Sequence, residues 1–246
     1  MKNYLSNILL RLNQFSIDLD KKESFVEITW VTIDEKQNLQ KFIFKRNGEL
    51  ILSINGEVTV GKWEYLSTAK CLLIDRIKDK ILLNQIFIDT RVMVLKIDGA
   101  NEDNLLLANE ILLPDLNVVG YLKNLFYKKN NIAVGLLKTG ESLEIINYEG
   151  FFNGNNVTIN GELVPDGIFE FENAKKKLLI KNSKISRVNV YANFKTKSEN
   201  IIIEVEENTP PSKGDFVYTS ENILAPDGKY RLNLFNQITV KNGRII

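Results

Sequence analysis

Two groups of carboxylates are the first residues in this chain whose type and spacing could do chemistry. Glu102 and Asp103 stand in GANEDN, and Glu204, Glu206 and Glu207 in EVEEN. Paired acids about 5–10 Å apart could hydrolyse a glycoside, and a denser set of oxygens could hold a hard cation. The first group follows Asp98-Gly99 and reads as a polar loop. In the second, Glu204 and Glu206 alternate with Val205 and read as the wet face of a strand. DGANEDN also lacks the alternating oxygens and late glutamate of a calcium loop. The expectation is that no metal and no cofactor is bound.

Other chemistry is narrowed by what the chain lacks. It contains no histidine and one cysteine, which removes the usual general base and the ordinary Cys/His zinc sites. Cys71 lies in AKCLLID, a strand-like run, with no activating partner in view, and reads as a structural thiol. No G-x-G-x-x-G and no Walker-type G-K-[ST] is present. GYLKNLFYKKNN sets Tyr121, Phe126 and Tyr127 beside Lys123, Lys128 and Lys129. That could suit nucleic acid, but the bland reading is core aromatics on a helix that ends in lysines. Thirty-two basic residues against 31 acidic ones leave a net charge of +1, too little field to favour nucleic acid or an anionic membrane. NAKKKLLIKNSK is a second basic stretch and reads as a charged hairpin tip. Trp30 and Trp63 lie in alternating runs that read as core strands. Facing solvent, either would be a natural anchor for a partner protein. The candidate partner-binding residues are therefore Trp30, Trp63, Tyr121, Phe126 and Tyr127.

These residues must be positioned by a fold, and 246 residues with 44% hydrophobic content suffice for a large core and two subdomains. No apolar run approaches the ~18 residues of a membrane span. MKNYLSNILLRLNQ is interrupted by Asn7, Arg11, Asn13 and Gln14, and no small-residue cleavage site follows it. With one cysteine, nothing calls for an oxidising compartment. A soluble, cytoplasmic protein is expected.

Hairpin turns dominate the punctuation. Asn-Gly occurs at 47–48, 55–56, 153–154, 160–161 and 242–243, and Asp-Gly at 98–99, 166–167 and 227–228. Such pairs accept the positive φ of tight turns, and runs of Ile, Val, Phe and Leu flank them. KFIFK-RNG-ELILSI-NG-EVTVGKWEY predicts two hairpins in succession, and IAVGLLK-TG-ESLEIINY a third. Tyr4, Leu5, Ile8, Leu9, Leu12 and Phe15 recur at helical spacing and predict a helix over about residues 3–16. PDLNVVGYLKNLFYKKNN predicts a second, with Val118, Val119, Leu122, Leu125 and Phe126 on one stripe and Asp115 and the lysines suiting its dipole. Pro210 and Pro211 predict a break in NTPPSKGD. The fold class is mainly β, α+β overall: antiparallel, hairpin-rich sheets or small barrels with an N-terminal and a central helix.

One phrase is written about three times. INGEVTVGKWEY and INGELVPDGIFEF share INGE and then glycine, spacer, aromatic, acid, aromatic. PDGKYRL near the end repeats the second half, and QITVKNGRI answers KLLIKNSKI. In an extended chain the bulky residues share one face and the charged one points away. Across the whole chain the copies keep no fixed period, unlike a solenoid or propeller.

FIFKRNGELILSINGEVTVGKWEY resembles lipocalin-like small β-barrel domains, where a strand pair ends in Gly-x-Trp and hairpins follow in up-and-down order. The resemblance covers about residues 40–97 and implies a barrel with an apolar cavity. The helix after Pro114 and the second β half depart from that layout. The DGxY…VKNGRI doublet resembles β-hairpin modules of uncharacterised bacterial proteins. The expected organisation is 1–114 as an N-terminal helix with a lipocalin-like β domain, 115–130 as a connecting helix, and 131–246 as a second β-hairpin domain. The function expected first is a non-catalytic protein-binding module, such as an immunity or inhibitor protein or an adaptor in a bacterial assembly. A carrier of a small apolar ligand is the alternative, and a carboxylate-dependent hydrolase the third.

Overall fold

The computed structural model describes residues 2–33, 37–99, 104–172, 176–196, 200–220, 223–233 and 236–246. Glu102 and Asp103, the first carboxylate pair, lie outside the described residues. Two compact units divide the chain, Met1–Phe126 and Tyr127–Ile246, and the fold is mainly antiparallel β.

The first unit opens with α1 (Lys2–Leu12) and a single 3-10 turn, Asn13–Phe15. Ile8, Leu9 and Leu12 are buried as the stripe predicts, and α1 contacts the sixth strand of the barrel. Phe15 stays outside, because the tighter 3-10 turn carries it off the α-helical stripe. The strands that follow are β1 (Thr29–Ile33), β2 (Leu39–Phe44), β3 (Glu49–Ile54) and β4 (Glu57–Leu66). Then come β5 (Cys71–Asp75), β6 (Lys80–Ile88), β7 (Val92–Ile97) and β8 (Asn104–Asn109). Each pairs with its sequence neighbours, and β1 closes the ring on β8 through Trp30 opposite Asn109 and Val31 opposite Ala108.

Alternation fills the barrel. Trp30, Phe42, Phe44, Leu50, Leu52, Trp63, Leu72, Ile74, Leu83, Met93, Leu95 and Leu107 form one buried cluster. An eight-stranded ring is just wide enough for side chains to fill. The segment before β1 adds Leu19 and Phe25 to the same cluster. Phe25 meets Phe44 and Trp63 edge-on, with centroids 5.5 and 5.4 Å apart. A register shift in β6 between Gln85 and Phe87 ties this segment down. The Gln85 amide donates to Ile17 O at 2.7 Å and its oxygen accepts Leu19 N–H at 3.0 Å.

After β8, α2 (Val118–Lys129) begins at Asn117, whose Oδ1 accepts Gly120 N–H at 2.9 Å. Val118, Leu122 and Phe126 are its buried stripe. The division between the units falls inside this helix. Among the described residues, no helix is long and apolar enough to cross a membrane.

The second unit begins with a four-stranded sheet of β9 (Ala133–Leu136), β10 (Ser142–Ile145), β11 (Val157–Ile159) and β12 (Glu162–Leu163). The remaining strands are β13 (Gly167–Glu170), β14 (Lys176–Lys181), β15 (Lys184–Lys195), β16 (Asn200–Glu206) and β17 (Phe216–Ser220). They continue as β18 (Ile223–Leu224), β19 (Gly228–Arg231), β20 (Gln237–Lys241) and β21 (Arg244–Ile245). These nine form one open sheet in the order β13-β14-β15-β16-β17-β21-β20-β19, with β18 on β17.

Within this unit the repeated phrase is a repeated structure. Val157 recurs as Val217, Ile180 as Val240 and Ile185 as Ile245, at one constant offset. Pro165, Gly167 and Phe169 recur as Pro226, Gly228 and Tyr230, one residue further on. The hydrogen bonds recur as well. Val157 N–H donates to Ser183 O and Val217 N–H to Gly243 O, both at 2.9 Å, while Ile185 and Ile245 donate to Asn155 O and Asp215 O. Each copy has a separate core, one around Leu143, Val157, Phe171, Leu178 and Ile180, the other around Ile203, Val217, Tyr230 and Val240. The long strand β15 joins them. Its first half pairs with β14 and its second half with β16.

Two expectations change here. Asp166-Gly167 and Asp227-Gly228 are not hairpin tips: both glycines start strands. The two aspartates instead accept the N–H groups of Asn182 and Asn242, each at 2.6 Å, and so brace the next hairpin turn. The second basic stretch is a charged hairpin tip at its KNSK end, where exposed Lys181 and Lys184 pair across the β14–β15 turn, but not at Lys176 and Lys177. They begin β14, half-buried in ion pairs, while residues 173–175 lie outside the described residues.

Candidate functional site

The five aromatic candidates are held inside their own units. Trp30 is fully buried and its indole N–H donates to Phe25 O at 2.9 Å. Trp63 is 7% exposed, with its N–H on Lys45 O at 2.9 Å. Both indoles are apolar bodies with one satisfied donor, the usual state of a core tryptophan. Phe126 is buried in the α2 stripe with Arg11 above its ring. Tyr121 is half-buried and donates to Asp89 Oδ2 at 2.5 Å, and Tyr127 donates to Glu144 Oε1 at 2.8 Å.

The second carboxylate group lands differently from the expectation. Glu204 is not on a wet face: it is buried, 7% exposed. Val205 does face the core on the opposite side, so the alternation is as read. The side that carries Glu204 is covered by other polar groups. Its carboxylate accepts Lys177 Nζ at 2.8 Å, Asn189 Nδ2 at 2.8 Å and the Tyr218 hydroxyl at 3.2 Å. Lys177 Nζ also lies 3.4 Å from Glu170, which Lys138 approaches at 2.6 Å. A charge-bearing network of this sort persists in low dielectric only when its members are paired.

Ionisation in the network follows from these contacts. Burial works against the Lys177 ammonium, but bonds to Glu204 and Tyr191 outweigh it and raise its pKa above the ordinary lysine range. Burial, reinforced by the charge of Glu204, pushes the Tyr218 phenol up to about 12. For Glu170, burial is outweighed by the Lys138 and Lys177 ammoniums, and its pKa falls below the usual carboxylate value.

Strand register extends this polar side into a face. Lys177 lies opposite Asn189, Tyr191 opposite Glu204, Glu204 opposite Phe216 and Phe216 opposite Arg244. The Arg244 guanidinium stacks 3.6 Å from the Phe216 centroid, and Tyr218 meets Tyr191 with centroids 6.2 Å apart. Arg187 reaches Asn189 at 2.7 Å and Asp215 at 3.4 Å. Tyr191, Phe216 and Tyr218 are half-buried and Arg244 is exposed. Sequence reasoning missed this face although it carries a signal. In RVNVYANF, Arg187, Asn189, Tyr191 and Asn193 alternate with Val188, Val190 and Ala192.

Comparison with family models, with curated proteins and with solved structures gives no match. The site therefore rests on its own geometry. Glu204 has both oxygens engaged by internal donors. Beside the face, a cavity of about 420 Å3 is lined by Tyr148, Phe151, Phe152, Lys176, Glu206 and Glu207 among others. Lys176 Nζ sits 2.5 Å from Glu207 Oε1 and 4.7 Å from the Phe151 centroid.

Proposed function

We propose that the chain is a non-catalytic, cytoplasmic protein-binding module, of the kind an inhibitor or immunity protein or an adaptor in a bacterial assembly needs. Its recognition surface is the polar-aromatic face of the second unit's sheet. The observation that carries this reading is the row of Arg187, Tyr191, Tyr218, Phe216 and Arg244 across β15, β17 and β21. Tyrosine and arginine are the residues that most often anchor protein interfaces. Here they are braced by Glu204, Asp215 and each other, so little rotamer freedom remains to be lost on binding. The buried, unpaired thiol of Cys71 suits a reducing compartment.

The carrier reading has no comparable support, since an apolar ligand would have to displace Trp30, Phe25 and their neighbours from the barrel.

The test is affinity capture from the encoding organism with the wild-type chain and with a Tyr191→Ala/Arg244→Glu variant. The wild type is expected to retain a stoichiometric protein, and the variant to bind it about 30-fold or more weakly, as loss of two anchors predicts. Circular dichroism checks that the variant keeps its fold. Capture of the same protein by both chains at equal strength, or recovery of the wild type alone, would overturn the reading.

A further inference from the structure

The cavity beside the sheet face has a chemistry of its own. Its volume of about 420 Å3 falls within the range of small-molecule sites, about 300–1,000 Å3. Two carboxylates, Glu206 and Glu207, and one ammonium, Lys176, line it, and Arg187 pairs with Glu206. Tyr148, Phe151 and Phe152 supply three aromatic rings. Rings present their negative faces to cations, and both carboxylates repel an anion.

The chain already places a cation in this setting. The Lys176 ammonium lies over Phe151 and against Glu207, which shows that a ring face and a carboxylate converge here at the spacing an ammonium requires. Glu206 and Phe152 line the same cavity. Arg187 Nε holds Glu206 Oε2 in a loose ion pair at 3.7 Å, too long for a hydrogen bond, and Glu206 keeps 38% of its side chain exposed. Phe152 is 57% exposed, a large ring presented to solvent. It is held in place from both sides. Its N–H donates to Asn155 Oδ1 at 2.8 Å, and its ring lies so close over Gly150 that a Cβ there would meet it at 2.8 Å. Any larger residue at position 150 would push this wall away.

We propose that the cavity binds an organic monocation, an alkylammonium or guanidinium group, between Glu206 and the rings of Phe152 and Tyr148. The group comes either from a free small molecule or from a lysine or arginine side chain presented by a protein. This inference does not depend on the sheet face being an interface.

Butylammonium chloride is the probe, titrated into the 15N-labelled full chain. Saturable amide shifts confined to residues 148–153 and 206–208 are expected. Sodium butyrate and the neutral isostere butanol should produce none. Glu206→Gln and Phe152→Ala should each weaken butylammonium binding about tenfold, and unchanged shifts elsewhere report an intact fold. Gly150→Ala should weaken it too, through the ring and without touching a charge. Tighter binding of a blocked lysyl tripeptide than of butylammonium assigns the cation to a partner's side chain, and equal or weaker binding assigns it to a free molecule. Shifts that fail to saturate, equal shifts with butyrate, or full affinity in both Glu206→Gln and Phe152→Ala would overturn the proposal.

Discussion

The stretch INGE occurs once in each unit, folds into the same turn both times, and then leads to different architectures. Ile54 pairs with Glu57 in the barrel and Ile159 with Glu162 in the second unit. Asn55 and Gly56 have φ of 50° and 93°, and Asn160 and Gly161 of 52° and 78°, the two positive values a two-residue hairpin needs. Beyond the turn, β4 runs unbroken from Glu57 to Leu66 and pairs with β3 on one side and β5 on the other. In the second unit β12 stops after Leu163, and β13 starts at Gly167 in another sheet. Val164, Pro165 and Asp166 lie between them. Pro165 has no N–H to give a ladder, and the residue before it is pushed away from helix. The Val164 backbone is instead satisfied by Ser183, whose Oγ accepts its N–H and donates to its C=O, both at 2.9 Å. One inserted residue and one proline separate a barrel stave from a sheet corner.

The sharpest test of that difference is the aromatic after each glycine. Trp63→Ala removes a buried ring wedged against Phe25 and Phe44 and should cost about 4 kcal/mol. Phe169→Ala, at the equivalent but half-buried position, should cost about half as much. Both tryptophans are in the first unit, so Trp30 fluorescence during urea unfolding reads the barrel in Trp63→Ala, and far-ultraviolet circular dichroism reads the second unit in Phe169→Ala. An equal loss in both variants would break the comparison.

Next is the glycine itself. A Cβ at Gly61 would lie 2.2 Å from the Asp75 carbonyl oxygen, because β4 crosses close to β5 there. At Gly167 and Gly228 the nearest atoms, on Phe169 and Tyr230, are 3.5 and 3.7 Å away. Gly61→Ala should therefore destabilise the barrel by about 2–3 kcal/mol, whereas Gly167→Ala and Gly228→Ala should stay within about 0.5 kcal/mol. Denaturant midpoints of the three variants decide the matter.

The corner predicts an equality between its two copies. Asp166→Ala and Asp227→Ala each remove a carboxylate that accepts a turn N–H at 2.6 Å. Each should cost about 1.5 kcal/mol, in near-equal measure by calorimetry. A twofold disparity would mean that the copies are alike in form but not in energetics.

The mildest test separates the two copies of the second unit. Glu144 and Glu204 are equivalent and buried, but Thr158 donates to the first and Tyr218 to the second. The native fold favours the neutral phenol, whose pKa rises to about 12. Its contribution is intact below the unfolded value of about 10 and is lost as pH climbs from there to about 12. Ultraviolet titration should show two late tyrosines, Tyr218 and Tyr121, the latter's phenol also being pushed up by burial and its bond to Asp89. Tyr218→Phe should remove one of them, with stability at neutral pH hardly changed.

Much of this was legible in the residues. The Asn-Gly turns at 55–56 and 160–161, the break at Pro210-Pro211 and the stripes of α1 and α2 follow from local φ preference and periodicity. The core roles of Trp30 and Trp63 follow from alternation. The polar-aromatic face was written in RVNVYANF in the same way, but Glu204 shows where such reading stops. Alternation says that Glu204 and Val205 face opposite ways. It does not say that Lys177, twenty-seven positions away, and Tyr218 will roof the polar side.

By itself the sequence determined turn chemistry, strand alternation, helix stripes and a phrase repeated in tandem, because each depends on residues a few positions apart. The tertiary structure decided that β1 closes on β8, that Phe25 fills the barrel's interior, and that β15 serves both copies at once. It also brought Glu206 and Phe152 to one cavity. Those pairings join distant segments, and their free energy comes from shared buried surface and matched register, which no short window of sequence contains.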